Sequence, residues 1–198
     1  MAETAVKVTP LGHLPRTDDG SAQIRLAECP LRGRINLRGD TADAAFLAAV
    51  SGAAGIEPPT EANTGRRGPD TSILWLGPDE WLVETTADAE AATASALEQA
   101  LSSLHAAATV VGDAVTTLSV SGPRAPDLLA KGMTLDLDPK RFLPGACARS
   151  LLGKVTVTLH RPTEEIAYEI TVGRSFADYA WRWLHDAALE YAGPGAGD

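Results

Sequence analysis

Two segments of this chain read alike: Ile35-Asn36-Leu37-Arg38-Gly39 and Thr116 to Gly132, whose corner glycines Gly39 and Gly122 lie 83 residues apart. In the second, Thr117, Ser119 and Ser121 alternate with Leu118 and Val120, the period of a strand with one buried face. The strand is predicted to end at Gly122. Pro123 presets the first turn of a helix, Ala125, Leu128 and Leu129 give it an apolar stripe, and Gly132 stands where a left-handed residue would close it. In the first copy Asp40 reads as the cap of a helix carrying Phe46, Leu47, Val50 and Ala54.

The elements that follow also match. After the first copy come Ser72 to Leu76, a Gly77-Pro78-Asp79-Glu80 turn, Trp81 to Thr85 and a helix over 88–104. After the second come Val155 to Leu159, a Pro162-Thr163-Glu164-Glu165 turn, Ile166 to Val172 and a helix over 175–191. Each half reads β-α-β-β-α, so the chain is predicted to be a duplication of pattern, with pseudo-repeats at about 32–104 and 115–191. The expected fold class is α+β, with three strands from each copy in one mostly antiparallel sheet and helices packed on it. Residues 24–191 then form a single domain. With 198 residues, 44% of them apolar, the chain has enough material for a sizeable core.

Outside the repeats, 1–23 holds turn formers without periodicity and reads as an extended arm, and 192–198 reads as a disordered tail. The segment 55–71 is rich in Pro, Gly and charge and reads as a surface loop. The segment 133–148 reads as an ordered link pinned by Leu135, Leu137 and Phe142.

Composition and motif spacing exclude several chemistries. A net charge of −9 disfavours nucleic acid and anionic membranes, which need clustered Lys and Arg. The first residues lack a basic region followed by an apolar one, and no run approaches the ~18 apolar residues needed to span a bilayer. Cys29 and Cys147 form neither a CxxC pair nor a disulfide framework and are expected to be reduced thiols of a cytoplasmic protein. Ser119 and Ser121 sit in no G-x-S-x-G elbow, and His13, His105, His160 and His185 fall in no catalytic or metal-ligand spacing. His160 and His185 are expected to be solvated. Asp136-Leu137-Asp138 lacks the Gly and distal Glu of a calcium loop and reads as a polar turn. Gly39-Asp40 and Gly122-Pro123 hold the place of a dinucleotide turn but lack its G-x-G-x-x-G pattern. No catalytic, cofactor-binding or metal-binding residue is therefore assigned.

Arg32, Arg34 and Arg38 share strand parity with Asn36 and project from one face. Two readings stand side by side: pairing with the chain's own acids, or a basic strip for an acidic partner surface. Trp75 and Trp81 read first as core. Trp181 lies about 100° from the centre of its helix's apolar stripe and joins Arg32, Arg34 and Arg38 as a candidate subunit-interface residue.

The run 32–39 (RGRINLRG), Ile73 to Val83 (ILWLGPDEWLV), Leu118 to Ala125 (LSVSGPRA), Leu128 to Gly132, Leu135 to Leu137 and Arg174 to Tyr179 (RSFADY) together resemble the gamma subunit of heterotetrameric sarcosine oxidase. The resemblance spans about 24–191, and its VSGPRAPDLL segment is shared with the wider folate-binding family of the glycine cleavage T-protein. It implies a fold like the T-protein's folate-binding domain, and a cytoplasmic complex that oxidatively demethylates sarcosine to glycine, with hydrogen peroxide and 5,10-methylenetetrahydrofolate as products. It further implies alpha, beta and delta partner subunits that carry FAD, FMN, NAD, tetrahydrofolate and zinc between them, and a noncatalytic role for gamma. Met133 departs from the pattern, where relatives carry Cys after the Lys-Gly pair. The alternative is a free-standing folate-binding or one-carbon transfer protein. An iron-sulfur maintenance protein is disfavoured because the Lys-Gly-Cys-aromatic motif is missing.

Overall fold

The computed structural model describes residues 8–13 and 23–191. Ten strands and four α-helices follow in the order β1 (Arg25–Glu28), β2 (Arg32–Arg38), α1 (Ala44–Ala54), β3 (Gly65–Arg67), β4 (Ser72–Gly77), β5 (Glu80–Thr86), α2 (Glu90–Leu101), β6 (Ala107–Val110), β7 (Val115–Ser121), α3 (Ala125–Ala130), β8 (Cys147–Leu152), β9 (Val155–His160), β10 (Ala167–Gly173) and α4 (Ala177–Ala188). The unit is therefore β-β-α-β-β-β-α, present twice. The expected β-α-β-β-α core is retained, with one more strand before it and another after its first helix.

The strands form two sheets instead of the single one expected. Their orders are β3-β4-β5-β2-β6 and β8-β9-β10-β7-β1, with every pair antiparallel. The reason lies in the central strands: β5 and β6 occupy both edges of β2, and β10 and β1 occupy both edges of β7. Neither strand has an edge left to join the other. The first strand of each unit also crosses over: β1 precedes β2 but pairs with β7, while β6 precedes β7 but pairs with β2. The halves are interlocked by this exchange.

Strand parity explains the layers. On the first sheet Ile35, Leu37, Ile73, Trp81 and Val83 face α1 and α2, closing a core with Phe46, Val50, Ala94, Leu97 and Leu101. Phe46 packs on Trp81 at 5.4 Å between ring centroids, and the indole Nε1 donates to Pro59 O at 2.7 Å. The second sheet buries Leu118, Val120, Val157, Leu159, Tyr168 and Ile170 against α3 and α4. Residues 8–13, from the expected arm, cover this second core with Leu11 and accept a hydrogen bond from Arg174 at Val8 O. The remainder of that arm and the 192–198 tail lie outside the described residues.

Several local expectations change. Asp43, not Asp40, caps α1, its carboxylate accepting from Ala45 N at 2.8 Å, because the turn continues through Asp40 to Ala42 before the helix begins. Gly132 is not left-handed. Its value is space, since a Cβ there would meet the Trp183 ring at 2.5 Å. At Gly122 φ is 111°, and a Cβ would lie 2.4 Å from Gln23 O, so glycine is needed at that corner. The 55–71 segment is not wholly loop: β3 emerges from it and adds to β4.

Candidate functional site

The two sheets face each other through polar side chains. Arg32, Arg34, Asn36 and Arg38 do share one face, as their parity requires, and that face looks toward the second sheet. Arg34 is 2% exposed. Its Nε donates to Glu84 Oε1 at 3.0 Å, and its Nη2 reaches Thr117 Oγ1 across the seam. Thr117 in turn shares a 2.9 Å hydrogen bond with Thr171. Arg34 and Thr117 are 83 residues apart, the repeat spacing, so they are counterparts in the duplication. One copy carries an Arg–Glu pair where the other carries two threonines. A symmetric pair in both copies would bring two guanidinium groups together in this dry layer, a costly arrangement.

Beside them Arg32 makes a two-pronged bond to Glu169, with both nitrogens at 2.6 Å, and approaches Glu84 at 3.4 Å. Glu80, in the Gly-Pro-Asp-Glu turn, is a second hub. Both its oxygens accept from Arg149 of β8, at 2.7 and 2.8 Å, while Asn36 donates at 2.8 Å and Arg38 lies 3.2 Å away. Arg38 also pairs with Asp79. The arginines of β2 are thus engaged by the chain's own acids, with Arg34 wholly inside and Arg38 the most open at 48% side-chain exposure. Trp181 is half-buried against the second core.

A small apolar patch, Leu74, Leu82 and Cys147, completes the seam. Backbone bonds close it where β3 meets β8: Gly65 N donates to Gly145 O at 2.7 Å and Cys147 N to Asn63 O at 2.9 Å. Burial pushes the Cys147 thiol up to about 12 and Cys29 up to about 11, so neither is a nucleophile near neutrality.

His160 corrects the expectation of solvation: it is 6% exposed. The cause is the next residue. Arg161 is also buried, its guanidinium donating to the carbonyls of Pro139, Phe142 and Glu164, and this draws the end of β9 under the 133–148 link. Sequence reasoning missed Arg161, and also Glu84, Glu169 and Arg149. Glu84, opposite Arg34 on the neighbouring strand, was the available signal, whereas Glu169 on the other sheet gave none.

These groups make stability depend on pH. Burial holds His160 below its ordinary 6.5, and Arg149 first among its partners holds Glu80 below 4.5. Burial tends to raise Glu169, but Arg32 outweighs it and the net direction is down. All three folded values lie under the unfolded ones, so their stabilisation is complete above the unfolded values and is lost as pH falls. The urea midpoint is expected to decline from about pH 6.5 as His160 titrates in the unfolded chain, and again below about 4.5. Glu80→Gln should flatten the second decline. A midpoint that rises toward acid would contradict this account.

Two stacked antiparallel sheets, each covered by its own helices and built from a duplicated unit, define the class: a fold like that of the glycine cleavage T-protein. The aminomethyltransferase T of the glycine cleavage system from Bartonella henselae overlays 88% of this chain, using 49% of its own, with a TM-score of 0.63 at 18% identity, a likeness of fold alone. The profile of the sarcosine oxidase gamma subunit family matches residues 38–190, and the chain belongs to that family. The gamma subunit from Corynebacterium sp. (strain P-1) is 29% identical over 193 residues, covering 96% of this chain and 93% of the relative. A chain of the heterotetrameric sarcosine oxidase from Corynebacterium sp. U-96, solved in complex with pyrrole 2-carboxylate, overlays with a TM-score of 0.85 at 25% identity, covering 96% and 99% of the two chains.

Proposed function

We propose that this chain is the gamma subunit of a heterotetrameric sarcosine oxidase, a noncatalytic polypeptide that supports assembly of a complex demethylating sarcosine to glycine. The observation that carries the reading is the overlay, end to end in both directions, on a chain of such a heterotetramer. The local chemistry agrees with it, since the charged groups of the seam are spent on one another. In this reading alpha, beta and delta subunits are the partners, FAD, FMN, NAD, tetrahydrofolate and zinc reside on them, and the complex works in the cytoplasm, giving hydrogen peroxide and 5,10-methylenetetrahydrofolate. No helix among the described residues is long and apolar enough to cross a membrane. Of the predicted interface residues Arg38 is exposed, Arg32 and Trp181 are half-buried, and Arg34 is buried.

Co-expression with and without this chain tests the proposal. Omission should sharply reduce the yield of assembled, yellow complex, while Ser121→Ala and Asp136→Asn, which touch no hub of the seam, should leave turnover unchanged. Intact assembly with abolished turnover in either variant would overturn the noncatalytic role. Micromolar tetrahydrofolate binding by the purified chain alone would favour the free-standing one-carbon reading instead.

A further inference from the structure

At one end of the seam the sheets part, leaving a cleft of about 340 Å³ between the β3–β4 turn, the start of β2 and the end of β9. That volume lies at the lower end of small-molecule sites. Its walls combine the prolines Pro30, Pro69 and Pro162 with Leu31. Its floor holds Glu84 and Glu169, already neutralised by Arg34 and Arg32, together with His160.

Among the described residues His160, Arg67 and the exposed Asp70 are left over in the cleft. His160 Nδ1 is buried without a hydrogen-bond partner, and Glu169 Oε2, at 4.0 Å, is too far to supply one. Buried polar atoms are normally satisfied, so an unsatisfied one in a cleft marks a place where something polar binds. Arg67, at the rim, has no carboxylate partner among the described residues, unlike its neighbour Arg66, which pairs with Glu57. Gly65, adjoining on β3, leaves room for the imidazole: a Cβ there would lie 3.4 Å from His160 Nε2 and 2.7 Å from Leu74.

We propose that this cleft binds a small organic monocarboxylate, its carboxylate on the Arg67 guanidinium, its apolar body against the proline walls, and a second hydrogen-bonding group at the His160 imidazole. A guanidinium matches a carboxylate with two parallel N–H donors. Among the described residues Arg67 is the lining arginine without a carboxylate partner, Glu84 and Glu169 are neutralised, and Asp70 adds a negative charge, so a dianion such as phosphate is disfavoured. The prolines select a carbon skeleton over a bare ion. This site is independent of the assembly role.

The test uses the full-length chain and 4-hydroxybenzoate as probe, with benzoate as the analogue lacking the hydroxyl and inorganic phosphate as the dianion. In NMR titrations 4-hydroxybenzoate should move the His160 ring resonances, benzoate should bind about tenfold more weakly, and Arg67→Gln, an exposed change that leaves the fold intact, should weaken the probe by tenfold or more. Phosphate should leave His160 unmoved. An unperturbed imidazole at millimolar probe would overturn the site, assigning the His160 space to water alone. Equal binding by the wild-type and Arg67→Gln chains would overturn the carboxylate assignment.

Discussion

Arg34→Met is expected to remove about 3–5 kcal/mol of unfolding free energy, measured from urea transitions at neutral pH. The side chain is 2% exposed and Glu84, its partner at 3.0 Å, is 5% exposed, so the substitution strands a carboxylate between two sheets. Arg32 gives little relief, since both its nitrogens are committed to Glu169 and it stands 3.4 Å from Glu84. Thr117 loses a donor in the same step. The cost is one of orphaning a partner, so the double variant Arg34→Met/Glu84→Leu should recover most of the loss, because a buried pair replaced by apolar groups of similar volume is often neutral. Glu84→Leu alone should be as damaging as Arg34→Met. A loss under about 1 kcal/mol for Arg34→Met would mean that water reaches Glu84 from the cleft and that the seam is not dry.

This pair also shows where sequence reasoning ran out. Period-two alternation identified β2 and β7, and apolar or β-branched runs flanking turns identified β4, β5, β9 and β10, because such patterns are local and survive in one sequence. The two sheets were hidden for a specific reason. What separates them is the pairing of β1 with β7 and of β6 with β2, and both are four-residue strands, RLAE and AATV, too short to specify a partner even where a strand is readable, as at Ile24 to Leu26. The common face of Arg32, Arg34 and Arg38 was legible. Its direction was not, because a charged face reads as solvent unless the opposing acids, Glu84 on a neighbouring strand and Glu169 on another sheet, are known to meet it. His160 was misplaced through its neighbour: nothing in His160-Arg161-Pro162 announces a guanidinium satisfied by carbonyls, and without that contact the end of a strand is exposed.

Cutting the chain between Leu104 and His105 is expected to leave two fragments, 1–104 and 105–198, that are each unfolded alone and fold together when mixed. The cut falls in the connection between α2 and β6, where Ser102, Ser103 and His105 are exposed, so the nick itself disturbs little. The first fragment keeps β1, whose partner β7 is in the other piece, and loses β6 from the edge of β2. The second loses Ile24 and Leu26 from its core. Each also presents to water one side of the seam, with Arg34, Arg32 and Glu80 parted from Thr117, Glu169 and Arg149. A half of about 100 residues missing an edge strand, part of its core and these bonds has no surplus from the ~5–15 kcal/mol that a whole domain holds. Near-ultraviolet circular dichroism, dominated by Trp75 and Trp81 in one fragment and Trp181 and Trp183 in the other, should be featureless for each and return on mixing. Cooperative unfolding by either fragment alone would show that the repeats are autonomous and that the strand exchange is incidental to stability.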